Sequence, residues 1–208
     1  MKWIFFDLGS TLVDESDVSA SRCEFAIQHA NIEPAEFMNK VYEEAKICAT
    51  PIRTAAKAYG VTLPAWDNSL EKLYDSTRSV VASLHEKLQG KYKLGIIANQ
   101  SPGTQERLDN WGLGKYFDVV VASAEAGCAK PDMKIFNMAL DQAGCEPSEA
   151  IMVGDRLDND IAPAKKLGMK TVWVRQGYAI YQSVDDESKR PDYIIDSIDE
   201  LVGLFEND

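Results

Sequence analysis

Residues 3–11 read Trp3-Ile4-Phe5-Phe6-Asp7-Leu8-Gly9-Ser10-Thr11, and this stretch decides the fold. Four consecutive apolar residues without polar alternation describe a strand buried on both faces, as in a parallel sheet covered by helices. The run ends at an aspartate followed by a tight polar turn. In open parallel sheets, ligands bind beyond the carboxyl ends of the strands. Asp7 is therefore the first candidate functional residue, and the backbone N–H groups of Gly9, Ser10 and Thr11 form a candidate anion nest.

Comparable apolar runs recur at Leu94-Gly95-Ile96-Ile97-Ala98, Val119-Val120-Val121, Ile151-Met152-Val153 and Thr171-Val172-Trp173-Val174. Asp192-Tyr193-Ile194-Ile195 is a weaker run that suits a sheet edge. Helical periodicity over 79–89, 103–111, 132–143, 159–167 and 198–205 alternates with these runs. Such alternation predicts parallel strands joined by right-handed helical crossovers in a three-layer α/β sandwich. Residues 14–77 break the rhythm, with helical patterns over 20–30, from Pro34 to 48 and onward from Pro51, and no convincing strand. They are expected to form a helical insert, leaving a core built from 1–13 and 78–208.

Composition narrows the function classes. The chain has 208 residues, 45% hydrophobic and 26% charged, which is the make-up of an ordinary folded globular protein. A formal net charge of −11 repels nucleic acid and anionic membrane alike, so an anionic substrate must be met by local positive charge or by a metal. Cys23, Cys48, Cys128 and Cys145 form no C-x-x-C pair, which argues for free thiols rather than a zinc or redox site. The absence of a secretory signal pattern and of a membrane-length apolar run leads to the expectation of a cytoplasmic protein.

Asp7 has company on the same rim. Asp155 follows Ile151-Met152-Val153-Gly154, and two carboxylates at neighbouring strand ends would repel unless a cation joined them. A hard divalent ion, Mg²⁺, is the expected one. Asp160 lies near the start of the next helix, where it could assist the metal, whereas Asp158 and Asn159 read as plain helix caps. Lys130, in Ala129-Lys130-Pro131-Asp132, precedes another helix and could aim its ammonium at the same place, neutralising Asp7 and a transferring phosphoryl group.

Asp7-Leu8-Gly9-Ser10-Thr11-Leu12-Val13, Ala129-Lys130-Pro131 and Gly154-Asp155-Arg156-Leu157-Asp158-Asn159-Asp160 together resemble the haloacid dehalogenase-like hydrolase superfamily. The resemblance spans essentially the whole chain, and the insert is similar to the four-helix type 1 cap of that superfamily. It implies a Rossmann-like core in which Asp7 attacks phosphorus to give an aspartyl-phosphate that water later hydrolyses. It also implies Mg²⁺ held by Asp7, the Gly9 carbonyl and Asp155 with help from Asp160, and Lys130 as the charge-stabilising lysine. Two positions depart from the pattern. Gly9 stands where phosphatases of the superfamily usually carry a second aspartate as general acid, and Ala98 stands where they carry a phosphate-binding hydroxyl.

Metal-bound water, Ser10, Thr11, Asp14 or a group of the substrate are candidates to replace the acid, and Asn99 or Ser101 to replace the hydroxyl. Ser10, Thr11, Asn99 and Lys130 make up the expected phosphate-binding set. Arg22, Lys40, Lys46, Arg53 and Lys57 could meet a distal anionic group, and Tyr42, Tyr59, Trp66 and Tyr74 could line a pocket. The leading expectation is a Mg²⁺-dependent phosphatase of a small phosphorylated metabolite. The alternatives are a catalytically weakened phosphate- and Mg²⁺-binding regulator, or cleavage of a phosphonate or carbon–halogen bond, the phosphonate version needing a Schiff-base lysine from the insert.

Overall fold

In the computed structural model, which describes residues 2–88 and 90–205, the opening run becomes the central strand β1 (Lys2–Phe6), with parallel partners on both sides. Successive side chains of a strand point to opposite faces. Trp3 and Phe5 accordingly enter one apolar cluster and Ile4 and Phe6 the other, all four buried. That double burial is why the run carries no polar residue.

Along the chain follow β2 (Val13–Asp14), α1 (Ser16–Ala30), α2 (Pro34–Ala45), α3 (Pro51–Ala58), β3 (Lys72–Leu73), α4 (Thr77–Lys87) and β4 (Tyr92–Ala98). Then come α5 (Thr104–Asn110), β5 (Val119–Ala122), α6 (Ser123–Ala126), α7 (Met133–Ala143) and β6 (Ala150–Gly154). The chain continues through α8 (Ala162–Leu167), β7 (Lys170–Val174), β8 (Tyr193–Ile195) and α9 (Leu201–Phe205). The large sheet has the order β5-β4-β1-β6-β7-β8, and all its pairings are parallel. Helices α4, α5 and α9 pack on the Ile4 and Phe6 face, and α7 and α8 on the other, giving the expected three layers. Gly95 makes one of these packings possible, because a Cβ there would fall 2.6 Å from the Phe5 ring.

Helices α1 to α3 share a separate apolar cluster of Cys23, Ala26, Phe37, Val41, Ile52, Ala55 and Ala56. Two expectations for this stretch need correction. Its ends do contain strand: β2 and β3 pair antiparallel through Val13 with Leu73 and Asp14 with Lys72, clasping the chain where it leaves and rejoins the sheet. Two-residue strands are too short to print a period-2 pattern. Three α-helices and a 3₁₀ turn at Asn68–Leu70 are described, rather than four helices.

The helix expected over 79–89 begins earlier, at Thr77, whose Oγ1 donates to the Leu12 carbonyl at 2.8 Å; Gln89 lies outside the described residues. The helix expected from 159 begins as a π turn, Leu157–Ile161, before continuing as α8. π turns of this kind recur at functional sites, and this one carries Asp160.

Candidate active site

The sheet register brings the acidic residues together. Phe6 pairs with Val153, and the Asp7 N–H donates to the Val153 carbonyl at 2.9 Å, so Asp7 and Asp155 emerge side by side from adjacent strand ends. Trp173 on β7 donates its indole N–H to the Asp155 carbonyl at 2.7 Å and fixes that turn. The π turn then folds Asp160 back over Gly154, where a Cβ would lie 2.5 Å from the Asp160 carboxyl carbon. Glycine is required there by the close approach. One carboxylate oxygen from each of Asp7, Asp155 and Asp160 lies within 4.8 Å of the others, and all three residues are buried.

Lys130 completes the cluster. Its Nζ donates to Asp7 Oδ1 and to Asp160 Oδ1, both at 2.6 Å, with the lysine side chain 2% exposed. Burial opposes its charge, but the Asp160 and Asp7 carboxylates outweigh that and hold its pKa above the ordinary lysine range. Burial pushes Asp160 up to about 6, with Lys130 opposing the rise. Asp155 is pushed well above the usual carboxylate range, first by burial and then by the Asp160 and Asp7 charges.

Three clustered carboxylates against one ammonium leave a negative excess in a desolvated place. A divalent cation with a preference for oxygen ligands fits this donor set. Gly9, whose carbonyl the resemblance implies as a further oxygen ligand, lines the same cavity.

The cavity has a volume of about 530 Å³, and Asp7, Gly9, Ser10, Lys130, Asp155 and Asp160 all line it. Other expected site residues are engaged differently. Thr11 is fully buried with its hydroxyl unpartnered, and it does not reach the cavity. The Ser10 and Thr11 N–H groups close the turn itself, on the Val13 and Leu8 carbonyls, which removes them from the expected anion nest. Asn99 lines the cavity, but both ends of its amide hold the Lys130 backbone: Nδ2 donates to the Lys130 carbonyl at 2.9 Å and Oδ1 accepts the Lys130 N–H at 2.8 Å. Its side chain thus positions the lysine rather than standing free for phosphate.

The candidates for the missing acid and hydroxyl are likewise redistributed. Asp14 accepts the Ser16 N–H and faces Lys72 at 3.7 Å, outside the cavity lining. Ser101 does line the cavity, with its hydroxyl exchanging hydrogen bonds with the Asn68 amide. Asp158 caps nothing; it accepts from Arg156 Nε at 3.0 Å and from Gln182.

Two residues escaped the sequence reading. Buried Arg156 reaches out of the acidic loop to donate to the Ala45 and Cys48 carbonyls at the end of α2, at 2.9 and 2.7 Å. Glu15 turns its carboxyl back over Gly9, accepting from Ser10 Oγ at 3.2 Å, and burial together with the Asp7 and Glu71 charges pushes it up to about 8. An acid beside a helix start has an ordinary explanation in the helix dipole. Only the folded turn reveals the contact with position 9.

The candidate residues of the helical insert divide as well. Arg22, Arg53 and Trp66 line the cavity, with the Arg22 guanidinium 5.4 Å from the Trp66 ring centre. Lys40 and Lys46 pair with Glu44 and Glu43, and these two lysines and Lys57 are outside the lining, so the expectation of an anion-binding or Schiff-base lysine at these positions is not met. Tyr42 and Tyr74 line a neighbouring cavity of about 490 Å³, and Tyr59 packs into the helical cluster.

A parallel Rossmann-like sheet whose rim gathers three aspartates around one buried lysine, under a helical insert, defines a narrow class of α/β proteins. A family profile described as haloacid dehalogenase-like hydrolase matches residues 4–174, and the chain belongs to that family. It is 34% identical to the glyceraldehyde 3-phosphate phosphatase of Pyrococcus furiosus over 238 residues, which span 100% of this chain and 94% of that protein. It is 39% identical to the phosphoserine phosphatase of Thermus thermophilus over 97 residues, 46% of this chain and 39% of that one. Among solved structures, a haloacid dehalogenase-type phosphatase from Thermococcus onnurineus superposes with a TM-score of 0.67 at 25% identity, covering 99% of this chain and 98% of the other. Among the described residues no helix is long and apolar enough to cross a membrane.

Proposed function

We propose that the protein is a Mg²⁺-dependent phosphomonoesterase of a small phosphorylated metabolite, with Asp7 as its nucleophile. The observation that carries this reading is the bridge of Lys130 Nζ to Asp7 Oδ1 and Asp160 Oδ1, 2.6 Å each, at a cavity wall. An ammonium so placed orients the Asp7 carboxylate and lies where negative charge gathers on a transferring phosphoryl group. Asp7 attacks phosphorus to form an aspartyl-phosphate, which water hydrolyses. Asp7, Asp155, Asp160 and the Gly9 carbonyl would hold Mg²⁺, which supplies neutralising charge to the phosphoryl oxygens when bound. Ser10 lines the cavity with its hydroxyl donating to Glu15.

Residues 14–77 act as the cap over a core of 1–13 and 78–208, with Arg22, Arg53 and Trp66 forming the wall that selects the substrate. The names of the relatives, which act on glyceraldehyde 3-phosphate and phosphoserine, support a small phosphorylated substrate.

The test is phosphate release in Mg²⁺ from a panel of phosphorylated metabolites, comparing the wild type with Asp7→Asn. Release by the wild type and its loss in the variant are expected. Equal traces from the two proteins across the panel would sink the reading.

A further inference from the structure

Breaking a phosphate ester expels an alkoxide, which needs a proton as its bond to phosphorus breaks. Four carboxyl-bearing residues are described in the cavity lining: Asp7, Glu15, Asp155 and Asp160. Three of them make up the cluster around Lys130. Glu15 stands apart from it. Its backbone opens α1, the carbonyl accepting the Ser19 N–H at 2.9 Å, yet its side chain makes no cap bond to that helix. The side chain instead folds back over the turn that follows Asp7.

Its place there is narrowly defined. Ser10 Oγ donates to Glu15 Oε2 at 3.2 Å. A Cβ built on Gly9 would lie 2.3 Å from Glu15 Oε1, 2.7 Å from its carboxyl carbon and 2.9 Å from Oε2. The carboxyl group therefore fills the volume that a side chain at position 9 would take, two residues from the nucleophile. Glycine at position 9 and glutamate at position 15 are one arrangement.

We propose that Glu15, seated on Gly9, is the proton donor and acceptor of the reaction. The inference rests on the phosphatase reading above and names a catalytic residue for it. In the first half-reaction an Asp7 carboxylate oxygen bonds to phosphorus while the ester P–O bond breaks, and the Glu15 carboxyl gives its proton to the leaving oxygen, releasing an alcohol. In the second half-reaction water bonds to phosphorus and the Asp7–phosphorus bond breaks. The Glu15 carboxylate takes the proton from that water, so inorganic phosphate leaves with Asp7 ionised and Glu15 protonated again.

Leaving-group dependence separates this role from simple packing. Glu15→Gln keeps the size of the side chain and removes the transferable proton. Against an alkyl phosphate such as glycerol phosphate, single-turnover phosphorylation of the variant is expected to slow by about 10²–10⁴-fold. With 4-nitrophenyl phosphate, whose leaving group departs without a proton, the loss is expected to stay within about tenfold. A slowing equal for both esters, or absent from both, overturns the inference while leaving the phosphatase reading intact. A wild type inactive on both overturns the two together.

A swap guards against a folding artefact. Gly9→Asp alone forces a Cβ into the Glu15 carboxyl, whereas Gly9→Asp combined with Glu15→Ala vacates that space and returns an acid to it. The double variant is expected to turn over the alkyl phosphate at least tenfold faster than Glu15→Ala. A double variant no faster than Glu15→Ala assigns the loss to packing and overturns the inference.

Discussion

Asn99 and Lys130 hold each other by two opposed hydrogen bonds, the Asn99 amide donating to the Lys130 carbonyl and accepting from the Lys130 N–H. The clasp ties the end of β4 to the loop before α7, so the lysine backbone is fixed before its side chain reaches Asp7 and Asp160. Removing it in Asn99→Ala forfeits two bonds worth about 0.5–1.5 kcal/mol each. A fall in phosphate-release kcat of about tenfold with KM little changed is expected, since in the proposed mechanism the lysine serves the transition state more than binding. Steady-state kinetics on the best metabolite of the panel decides it: a raised KM at constant kcat would mean that Asn99 contacts substrate instead.

The two outcomes at the strand ends show what a sequence can and cannot carry. Asp7 and Asp155 were legible because each ends an apolar run, and burial on both faces leaves few other reasons for a carboxylate there. Lys130 was legible from its position before a helix once two acids were on the rim. Asn99 was placed correctly at a strand end, but an amide there looks the same in sequence whether it faces a ligand or clasps a loop 31 residues on. Thr11 sits beside the site in sequence, yet the turn rotates it into the core. Glu15 was missed because its contact with Gly9 depends on how a tight turn closes, which no periodicity records. The β2–β3 clasp escaped for want of length.

Thr11 offers a direct check on that rotation. Its hydroxyl is buried with no hydrogen-bond partner among the described residues, a state that costs free energy without return. Thr11→Val exchanges the hydroxyl for a methyl group of similar size. Chemical denaturation is expected to find the variant unchanged or more stable by about 1 kcal/mol, with phosphate release unaffected. A variant that folds normally but releases phosphate tenfold more slowly would restore Thr11 to the phosphate-binding set.

Arg156 joins the acidic loop to the end of α2. Its guanidinium donates to the Ala45 and Cys48 carbonyls, where the helix dipole favours a cation, and pairs with Asp158 on its own side. Hydrogen bonds to a charged group are worth about 1.5–3 kcal/mol each, so Arg156→Met is expected to lower stability by about 3 kcal/mol or more. Lysine cannot reproduce the fork, and Arg156→Lys should recover less than half of that loss. Limited proteolysis distinguishes local from global damage: cleavage confined to residues 46–50 marks a freed connection, whereas even digestion marks a destabilised core.

The acidic cluster itself predicts how the protein answers to metal. Asp7, Asp155 and Asp160 crowd their carboxylates within 4.8 Å, and Lys130 offsets only one of three charges. Folding thus gathers repulsion that an unfolded chain disperses, so a cation bound only by the folded state raises stability by mass action. At a Mg²⁺ concentration about one hundred times its Kd the gain is about 2.7 kcal/mol. For a chain of this length that corresponds to a rise in Tm of roughly 5–10 °C over protein treated with chelator. Asp155→Asn relieves part of the repulsion and deletes a proposed ligand at once. Without metal its Tm is therefore expected to equal or exceed that of the wild type, while its response to Mg²⁺ shrinks to a degree or two. Thermal unfolding of both proteins, with chelator and across a Mg²⁺ titration, tests the pair of expectations. A full-sized Mg²⁺ shift retained by Asp155→Asn would place the ion outside this cluster.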